Sequence, residues 1–572
     1  MSSTALRSSQ ETPYAYTPVQ PASRPKNGRR RILIGIVVAV LVVVVAVVLA
    51  VYFTGIRPKH DAKSSSSSSG PGSNWGDGST VTTENGTQFT YNNTFGGFCN
   101  AGVDDPSNPF NNNAKPNSWT PPLNTSWTWG VDRIYGVNLG GLFVMEPFIT
   151  PSYYERYSPT AIDEWTLSVA MANDTANGGL GQLETHYDTF ITEEDIAEIA
   201  GAGLNWLRIP IPFWAIETWP GEPFLAKTSW KYFLRVLGWA RKYGLRVCLD
   251  LHTVPGLNHS GRGNMGLANA ERTLYYIRVL TEFISQPAYR DLIPIFGIVN
   301  EALLGIIGKD QLTSFYLEAH TMIRGITGYG EGNGPYIAIH DGFQSLASGL
   351  ISSKDTAPIA VNDDNGNPGG KWPTQACNAW GSIHQRQWAA SPNDCGYFLR
   401  GYDDYLNYNE SMVAGINDYV LASMDATGDW FFWTWKIGPN QAGAIGSHLG
   451  WIPADPRTAI GKCQALGLTP SPFNGTYAPW ATGGATSSIP ASSSASFPWP
   501  PTTISNAVVP VTLMPTYTST GSIITMPPAT FTAAPSSVTA SVNGWLDAQD
   551  TAGGVVTVAG CTYPDEYNGI FR

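Results

Sequence analysis

Short apolar runs recur through the middle of the chain and alternate with helix-like patterns. The strand-like runs are Ile134–Leu139, Trp206–Ile211, Leu245–Leu251, Ile295–Val299, Tyr336–Ile339 and Trp430–Trp435. Amphipathic segments such as Glu193–Ala202 and Trp230–Lys242 lie between them. Alternation of this kind over about 340 residues predicts a parallel sheet, either a closed barrel or an open doubly wound sheet.

Polar residues cluster at the C-terminal ends of the predicted strands, and their positions favour the barrel. They are Asn138, Arg208, His252, Glu301, Asp341 and Lys436. No glycine-rich dinucleotide or phosphate loop follows the first run, whereas a barrel builds its site from the ends of many strands. We therefore predict an α/β fold, a (β/α)8 TIM barrel, over residues 128–470.

Strands six and seven of this barrel are poorly supported by the pattern. About 90 residues between Ile339 and Trp430 must supply two strands and three connections, close to the minimum for βα units. Only Pro358–Val361 is strand-like there. The pattern leaves open a barrel that is incomplete around strands six and seven.

The ends of the chain predict a membrane-anchored, exported protein. Ile32–Phe53 is 22 residues without a charge, and five basic residues precede it within residues 24–31. This predicts a transmembrane helix and a single-pass type II protein of the cell membrane. Residues 1–31 would be a disordered cytosolic tail, and the catalytic domain would be extracellular. Seven Asn-X-Ser/Thr sites after residue 53 are consistent with a glycoprotein.

Two low-complexity regions flank the predicted barrel. Residues 54–127 contain a Ser/Gly-rich spacer followed by an irregular extension, which we expect to pack on the main domain. Residues 471–572 form a tail rich in Ser, Thr and Pro, as in O-glycosylated stalks.

Composition excludes some function classes. Charged residues are only 13%, aromatic residues are 12%, and the net charge is -11. This balance argues against binding of nucleic acid. The six cysteines and eight histidines show no spacing typical of zinc, and we expect neither a metal nor a cofactor.

The strongest chemical signal is Asn300-Glu301 at the end of the fourth apolar run. A barrel keeps catalytic carboxyl groups at such strand ends, although a Glu there can also cap the next helix. Cleavage of a glycosidic bond needs one carboxylic acid to protonate the leaving oxygen and a second carboxylate. Arg208 is a candidate to orient a carboxylate or a sugar hydroxyl, and its alternative is a structural ion pair. His252 has the same two interpretations.

Aromatic residues near the strand ends suit a sugar-binding cleft, because aromatic faces hold the apolar surface of a pyranose. Trp433 and Trp435 are the candidate platform, with core packing as the alternative. Phe213, Trp214 and Trp219 are as well explained by packing as by lining the cleft.

Seven motifs, taken together, resemble the fungal exo-β-1,3-glucanases of glycoside hydrolase family 5. In chain order they are GVNLGGLFVMEPFITPS, DEWTL, GLNWLRIPIPFWAIET, CLDLHTVPG, GIVNEALL, IHDGF and FFWTWK. The anchor, the Ser-rich spacer and the tail particularly resemble the membrane-bound type. The resemblance covers about residues 128–470 and implies a (β/α)8 barrel, retention of configuration, and release of glucose from β-1,3-glucan.

The resemblance also implies roles for individual residues. Glu301 resembles the acid/base, and Asn300 the amide that bonds the sugar 2-hydroxyl. Glu146 resembles a glucose-binding carboxylate. Arg208 and His252 resemble residues that support the catalytic carboxylates, while Trp433 or Trp435 resembles the stacking platform.

One expected residue of the family, the nucleophile, is not found. The family carries a Gly-Glu-Phe or Gly-Glu-Trp strand end just before the Asn-Asp-Cys-Gly motif, whereas Trp388–Pro392 stands there in this chain. A His-Pro-Tyr strand end is also missing. Substitute carboxylates exist at Asp363, Asp364, Asp394 and Glu410, but none ends an apolar run.

Three interpretations follow from this absence. The first is a glycosidase whose nucleophile is unknown. The second is a catalytically inactive glucan-binding protein of the wall surface. The third is that segments near 345, 388 and 402 were lost in gene modelling.

Overall fold

The computed structural model describes the central part of the chain and pieces of its tail. The described ranges are 74–100, 109–147, 149–256, 265–330, 332–340, 359–361, 410–438, 453–465, 488–504, 510–514, 516, 519–529, 544–547 and 554–555. The predicted span Ile32–Phe53 lies outside them. Within these ranges no helix is long and apolar enough to cross a membrane.

The strands of the described residues, β1–β13, are between two and eight residues long. In chain order they are Asn74–Trp75, Ser79–Thr82, Gln88–Tyr91, Cys99–Asn100, Tyr135–Asn138, Trp206–Pro212, Arg246–Thr253, Ile295–Gly297, Tyr336–Ile339, Ile359–Val361, Trp430–Phe432, Ser519–Gly521 and Gly554–Val555.

The α-helices α1–α11 cover most of the intervening chain in the described part. They are Pro151–Arg156, Glu164–Asn173, Gly181–Thr189, Glu193–Gly201, Thr228–Tyr243, Gly266–Ile284, Leu304–Ile307, Lys309–Thr327, Glu410–Thr427, Lys462–Ala465 and Ala491–Ser496.

The central sheet of the described residues has seven strands in the order β10-β9-β8-β7-β6-β5-β11. All six pairings are parallel. The last strand, β11, pairs with the first, β5, through the register Phe431 to Gly136. Parallel strands joined by helices, with the first strand beside the last, give the α/β architecture of a barrel.

The apolar runs of the sequence correspond to β5–β9 and β11, with ends that differ by at most three residues. The run Pro358–Val361 contributes β10, which pairs with β9 over Ile359–Val361. The one strand-like run predicted in this interval is therefore a short sixth strand of the sheet. The interval expected to hold a seventh strand, 362–409, lies outside the described residues.

Alternation along each strand divides its side chains between the barrel interior and the helix layer. Leu207, Leu249 and Ile337 face outward and belong to the large core shared with the helices. Trp206, Cys248, Ile295 and Ala338 face inward and form a separate apolar cluster. This cluster fills the barrel at the start of the strands.

The extension before β5 closes that end of the barrel. Trp127 meets Trp206 edge to face at 5.1 Å between ring centroids. Arg246 stacks on Trp127 at 4.9 Å and donates hydrogen bonds to the carbonyl oxygens of Pro121, Pro122 and Thr125. The extension also contains strands β1–β4, which its irregular sequence pattern did not predict.

The described pieces of the C-terminal tail lie on the outer helices, which differs from the expected stalk. Met526 and Trp545 are buried in the main core. Trp230 donates to the carbonyl oxygen of Pro527 at 2.9 Å, and the amide of Ile524 donates to the Tyr275 hydroxyl at 2.7 Å. Scattered apolar residues in a Ser/Thr/Pro-rich background are the physical reason, because they gain stability by burial.

Candidate active site

The candidate site is a polar layer inside the barrel, one step beyond the apolar interior cluster. Trp206, Cys248 and Ala338 of that cluster are each followed two residues later by a polar residue, namely Arg208, Asp250 and His340. Since residues two apart on a strand share a face, these three side chains project into the same space. All three are at most 1% exposed.

Arg208 on β6 is the hub of this layer. Its guanidinium donates to Asn138 Oδ1 at 2.9 Å and to Asn300 Oδ1 at 3.0 Å. It also forms an ion pair with Asp250 Oδ2 at 2.9 Å, with both side chains 2% exposed. Burial would raise the pKa of Asp250, but the Arg208 charge and the His252 hydrogen bond bring it below its ordinary value. The two interpretations of Arg208, a structural ion pair and a support for catalytic groups, are therefore compatible, because the ion pair with Asp250 and the bond to Asn300 belong to one network.

His252 and Asn300 are oriented by the same network. His252 Nδ1 lies 2.7 Å from Asp250 Oδ2, and its Nε2 lies 3.3 Å from Asn300 Nδ2. Because Arg208 donates to Asn300 Oδ1, the amide turns its NH2 group toward His252. A neutral ring that carries its proton on Nδ1 satisfies both contacts.

Glu301 follows Asn300 directly and is 9% exposed. Its backbone has φ of +46°, in the left-handed region that residues other than glycine rarely adopt. Strain of this kind costs on the order of 1–3 kcal/mol and concentrates at functional sites. Glu301 does not cap a helix, because the next helix, α7, begins at Leu304 with Leu303 as its N-cap.

His340 is a site residue that the sequence reasoning missed. Burial lowers the pKa of His340 to about 4, against the favourable effect of the nearby Glu301 carboxylate. The charges of Arg208 and Asp250 also act on its pKa, so His340 lies near both Glu301 and the Arg208 network. The signal in the sequence was its position two residues after Ala338 on β9. Asp250 was missed in the same way, two residues before His252.

The two candidate tryptophans, Trp433 and Trp435, lie in different environments. Trp433 is half-buried and stacks near-parallel with His252 at 5.9 Å, and Arg208 lies 5.9 Å from its ring centroid. Trp435 is 3% exposed, and its indole donates to Asp195 of α4 at 3.2 Å. The structure brings Trp433 into the polar layer and uses Trp435 for packing.

The other aromatic candidates also serve packing. Phe213, Trp214 and Trp219 are at most 7% exposed. Arg272 lies over Trp219 at 3.9 Å and forms a bidentate ion pair with Glu222, which anchors the loop after β6 to α6. Gly-Glu occurs twice in the sequence, at Glu222 and Glu331. Because Glu222 is paired with Arg272, we do not consider it as the nucleophile.

Glu146 lies in the loop after β5 and is 7% exposed. A buried neighbour, Glu164, shares this region, and burial raises its pKa well above the ordinary value. Of the substitute carboxylates, Glu410 begins α9 and is exposed, while Asp363, Asp364 and Asp394 lie outside the described residues. Across the described ranges no cluster of three or more His, Cys, Asp or Glu residues suits a metal ion.

Comparison with known proteins confirms the resemblance inferred from the motifs. The chain is 31% identical over 464 residues to a protein of Neosartorya fischeri named "Probable glucan 1,3-beta-glucosidase D", covering 67% of this chain and 54% of that protein. It is 35% identical over 452 residues to "Glucan 1,3-beta-glucosidase D" of Emericella nidulans, covering 65% of this chain and 52% of the relative. The chain therefore spans about half the length of the curated relatives it matches. No family model matches the chain.

Solved structures align at lower similarity. The rutinosidase from Aspergillus niger aligns with a TM-score of 0.43 and 15% identity, over 57% of this chain and 99% of that chain. A GH5 family lichenase from Caldicellulosiruptor sp. F32 aligns with a TM-score of 0.33 and 16% identity, over 57% and 92%. The fold assignment depends instead on the strand order and parallel pairing described above.

Proposed function

We propose that this chain, a relative of the glucan 1,3-beta-glucosidase D proteins, is a retaining glycoside hydrolase that releases glucose from β-1,3-glucan and acts in metabolism of the fungal cell wall. The observation that carries the proposal is the carboxyl group of Glu301, which follows Asn300 in a strained backbone beside the Arg208 network. The names of the relatives support the substrate class.

In the proposed mechanism Glu301 first acts as a general acid. It protonates the glycosidic oxygen as the bond to the anomeric carbon breaks, and later removes a proton from the attacking water. Asn300 is proposed to hydrogen-bond the sugar 2-hydroxyl, with Arg208 and His252 holding its amide in orientation. Trp433 offers a stacking face, and Glu146 is proposed to bind glucose hydroxyls. Trp435 is left out of this role because its indole bonds Asp195.

A retaining mechanism needs a second carboxylate about 5–5.5 Å from the first. Asp250 is committed to Arg208 and His252, and Glu222 to Arg272. We assign no nucleophile among the described residues. Because a Gly-Glu-Phe or Gly-Glu-Trp motif is lacking before Asn393, the alternative, second candidate function is glucan binding without hydrolysis; the names of the relatives do not favour it.

The proposal extends to architecture and location. The pairing of β11 with β5 supports a (β/α)8 barrel as the complete fold. The uncharged span Ile32–Phe53 and the basic residues before it support a single-pass type II anchor in the cell membrane, with the barrel outside.

Two substrates test the role of Glu301 more sharply than one. An aryl β-glucoside has a good leaving group and needs little acid assistance, whereas a β-1,3-linked glucose disaccharide needs it fully. Glu301→Gln should reduce kcat/KM for the disaccharide by about 10²–10⁴-fold, with a smaller loss in the first step on the aryl glucoside. Glu410→Gln is the matched control, because Glu410 is exposed at the start of α9.

Hydrolysis of the disaccharide that survives Glu301→Gln would contradict the assignment of the acid. If the unaltered chain binds a β-1,3-glucan oligomer in calorimetry but releases no glucose, the second candidate function is the correct one.

A further inference from the structure

The loop that carries Glu146 is fixed by hydrogen bonds on both sides of that residue. The carbonyl oxygen of Glu146 accepts from the amides of Ile149 and Thr150, at 3.0 and 2.8 Å, and from the Thr150 hydroxyl at 3.1 Å. These bonds form a tight turn directly after Glu146. The backbone on the C-terminal side of the residue is therefore held locally.

The residue before Glu146 is held by two side chains from elsewhere. The amide of Met145 donates to Glu164 Oε2 at 3.0 Å, and the carbonyl oxygen of Met145 accepts from the Tyr154 hydroxyl at 2.9 Å. Both side chains are buried, at 2% and 6% exposed. Since both polar groups of Met145 are bonded, the direction in which Glu146 leaves the backbone is fixed.

Burial of the Glu164 carboxyl group is unfavourable for the stability of the fold. Glu164 is the first residue of α2, after the Asp163 cap, and among the described residues it forms no ion pair. Its Oε1 accepts no hydrogen bond from any described residue. A buried carboxyl group without a cation destabilises the fold. The hydrogen bond from the Met145 amide is a contact that Glu164 gains in this position.

Glu164 faces other acidic groups in the interior. Glu146, Asp163 and the hydroxyl of Tyr187 all lie near enough to interact with it. Burial raises the pKa of Glu164 well above its ordinary value, and the charges of Glu146 and Asp163 raise it further. The hydrogen bond that Glu164 accepts from the Met145 amide acts in the opposite direction and lowers this pKa.

We propose that Glu164 is a positioning residue for Glu146, which it aims into the sugar site through the Met145 amide. This inference rests on the proposed function, in which Glu146 binds glucose hydroxyls. It assigns Glu164 to substrate affinity and not to the chemical step.

The test compares three variants of the full-length chain in detergent micelles. Glu164→Gln retains an acceptor for the Met145 amide, Glu164→Ala removes it, and Glu155→Ala is a control on the exposed side of α1. The readouts are kcat and KM on an aryl β-glucoside and the Kd for laminaritriose by calorimetry. We expect Glu164→Ala to raise KM and Kd by about 10-fold, with kcat changed by less than about threefold, because a contact that is equally strong in the ground state and the transition state contributes to binding and not to kcat. Glu164→Gln and the control should each stay within about twofold of the unaltered chain.

Tyr154→Phe provides an independent variant, since it removes the bond to the other side of Met145 and keeps the ring. It decides the question if Glu164→Ala does not fold. A raised KM or Kd in Tyr154→Phe, with kcat nearly unchanged, supports the positioning role.

Two results would overturn the inference in distinguishable ways. Lower melting temperatures with unchanged KM and Kd in Glu164→Ala and Tyr154→Phe would show that both residues are structural. If the unaltered chain neither hydrolyses the glucoside nor binds laminaritriose, the proposed function itself fails, and the inference with it.

Discussion

Replacing Arg208 by methionine should cost far more stability than the loss of an ordinary ion pair. The guanidinium is the cation paired with Asp250, and both side chains are 2% exposed. Among the described residues, its removal leaves the buried Asp250 carboxylate with His252 as its remaining side-chain partner. Breaking a buried pair in this way costs about 3–5 kcal/mol. The hydrogen bonds to Asn138 and Asn300 are lost as well. Such a loss is a large fraction of a total stability of about 5–15 kcal/mol.

Urea unfolding followed by tryptophan fluorescence measures the effect. With a slope of about 2 kcal/mol per molar urea, a loss of 4 kcal/mol lowers the midpoint by about 2 M. The surface pair of Lys231 with Glu184, at 3.4 Å and with side chains 72% and 45% exposed, supplies the control. Lys231→Met should cost less than about 1 kcal/mol.

A second substitution separates the buried charge from the lost packing. Adding Asp250→Leu to Arg208→Met removes the uncompensated carboxylate, so the double variant should be more stable than Arg208→Met alone. The reasoning is refuted if Arg208→Met costs no more than Lys231→Met, or if the double variant loses the sum of the two single effects.

Two further predictions follow from buried groups near or behind the site. Burial lowers the pKa of His320 from 6.5 to about 4, so stability from its neutral ring is complete above pH 6.5 and is lost as the pH falls toward 4, by roughly 3 kcal/mol. His320→Gln should flatten the fall in urea midpoint between pH 7 and pH 4.5, and an unchanged slope would contradict this. A methyl group at Gly140 would lie 2.7 Å from Cζ2 of Trp433, so Gly140→Ala should displace that ring and weaken laminaritriose binding by about tenfold. The control Gly238→Ala meets nothing within 4 Å in α5 and should stabilise the chain by about 0.5–1 kcal/mol; equal Kd values for the two variants would show that the Trp433 face is not used.

The strand positions could be predicted from the sequence because the outward-facing positions of each strand, such as Leu207, Leu249 and Ile337, are apolar. Their burial against helices requires it, whatever lies inside the barrel. The same argument predicted where the strands end, and the polar residues near those ends, Arg208, His252 and Glu301, were therefore candidates for the site. Asp250 and His340 were within reach, since each lies two residues from a position already assigned to the interior.

Other features depend on contacts that one sequence does not contain. Trp433 and Trp435 are equivalent in the pattern WFFWTWK, and only the position of Asp195, some 240 residues earlier, separates their roles. The tail residues Trp499 and Met526 lie in short apolar clusters within a biased composition, with no period that predicts their burial. Phe315, which packs near Trp499 at 6.0 Å, gives no local sign of that partner.

Along β6 and β7 the barrel interior changes from an apolar layer to the polar layer in which we propose that sugar binds. Trp206 and Cys248 lie in the apolar layer that the Trp127 extension covers, and Arg208 and Asp250 follow them by two residues into the polar layer. An apolar layer gains stability by burial, whereas a polar layer costs stability unless every group is paired. A substitution such as Cys248→Ala, on this reasoning, lowers the melting temperature and leaves the Kd for laminaritriose unchanged. Asp250→Asn, only two residues later, should change both, because it disturbs the tautomer of His252 and through it the amide of Asn300.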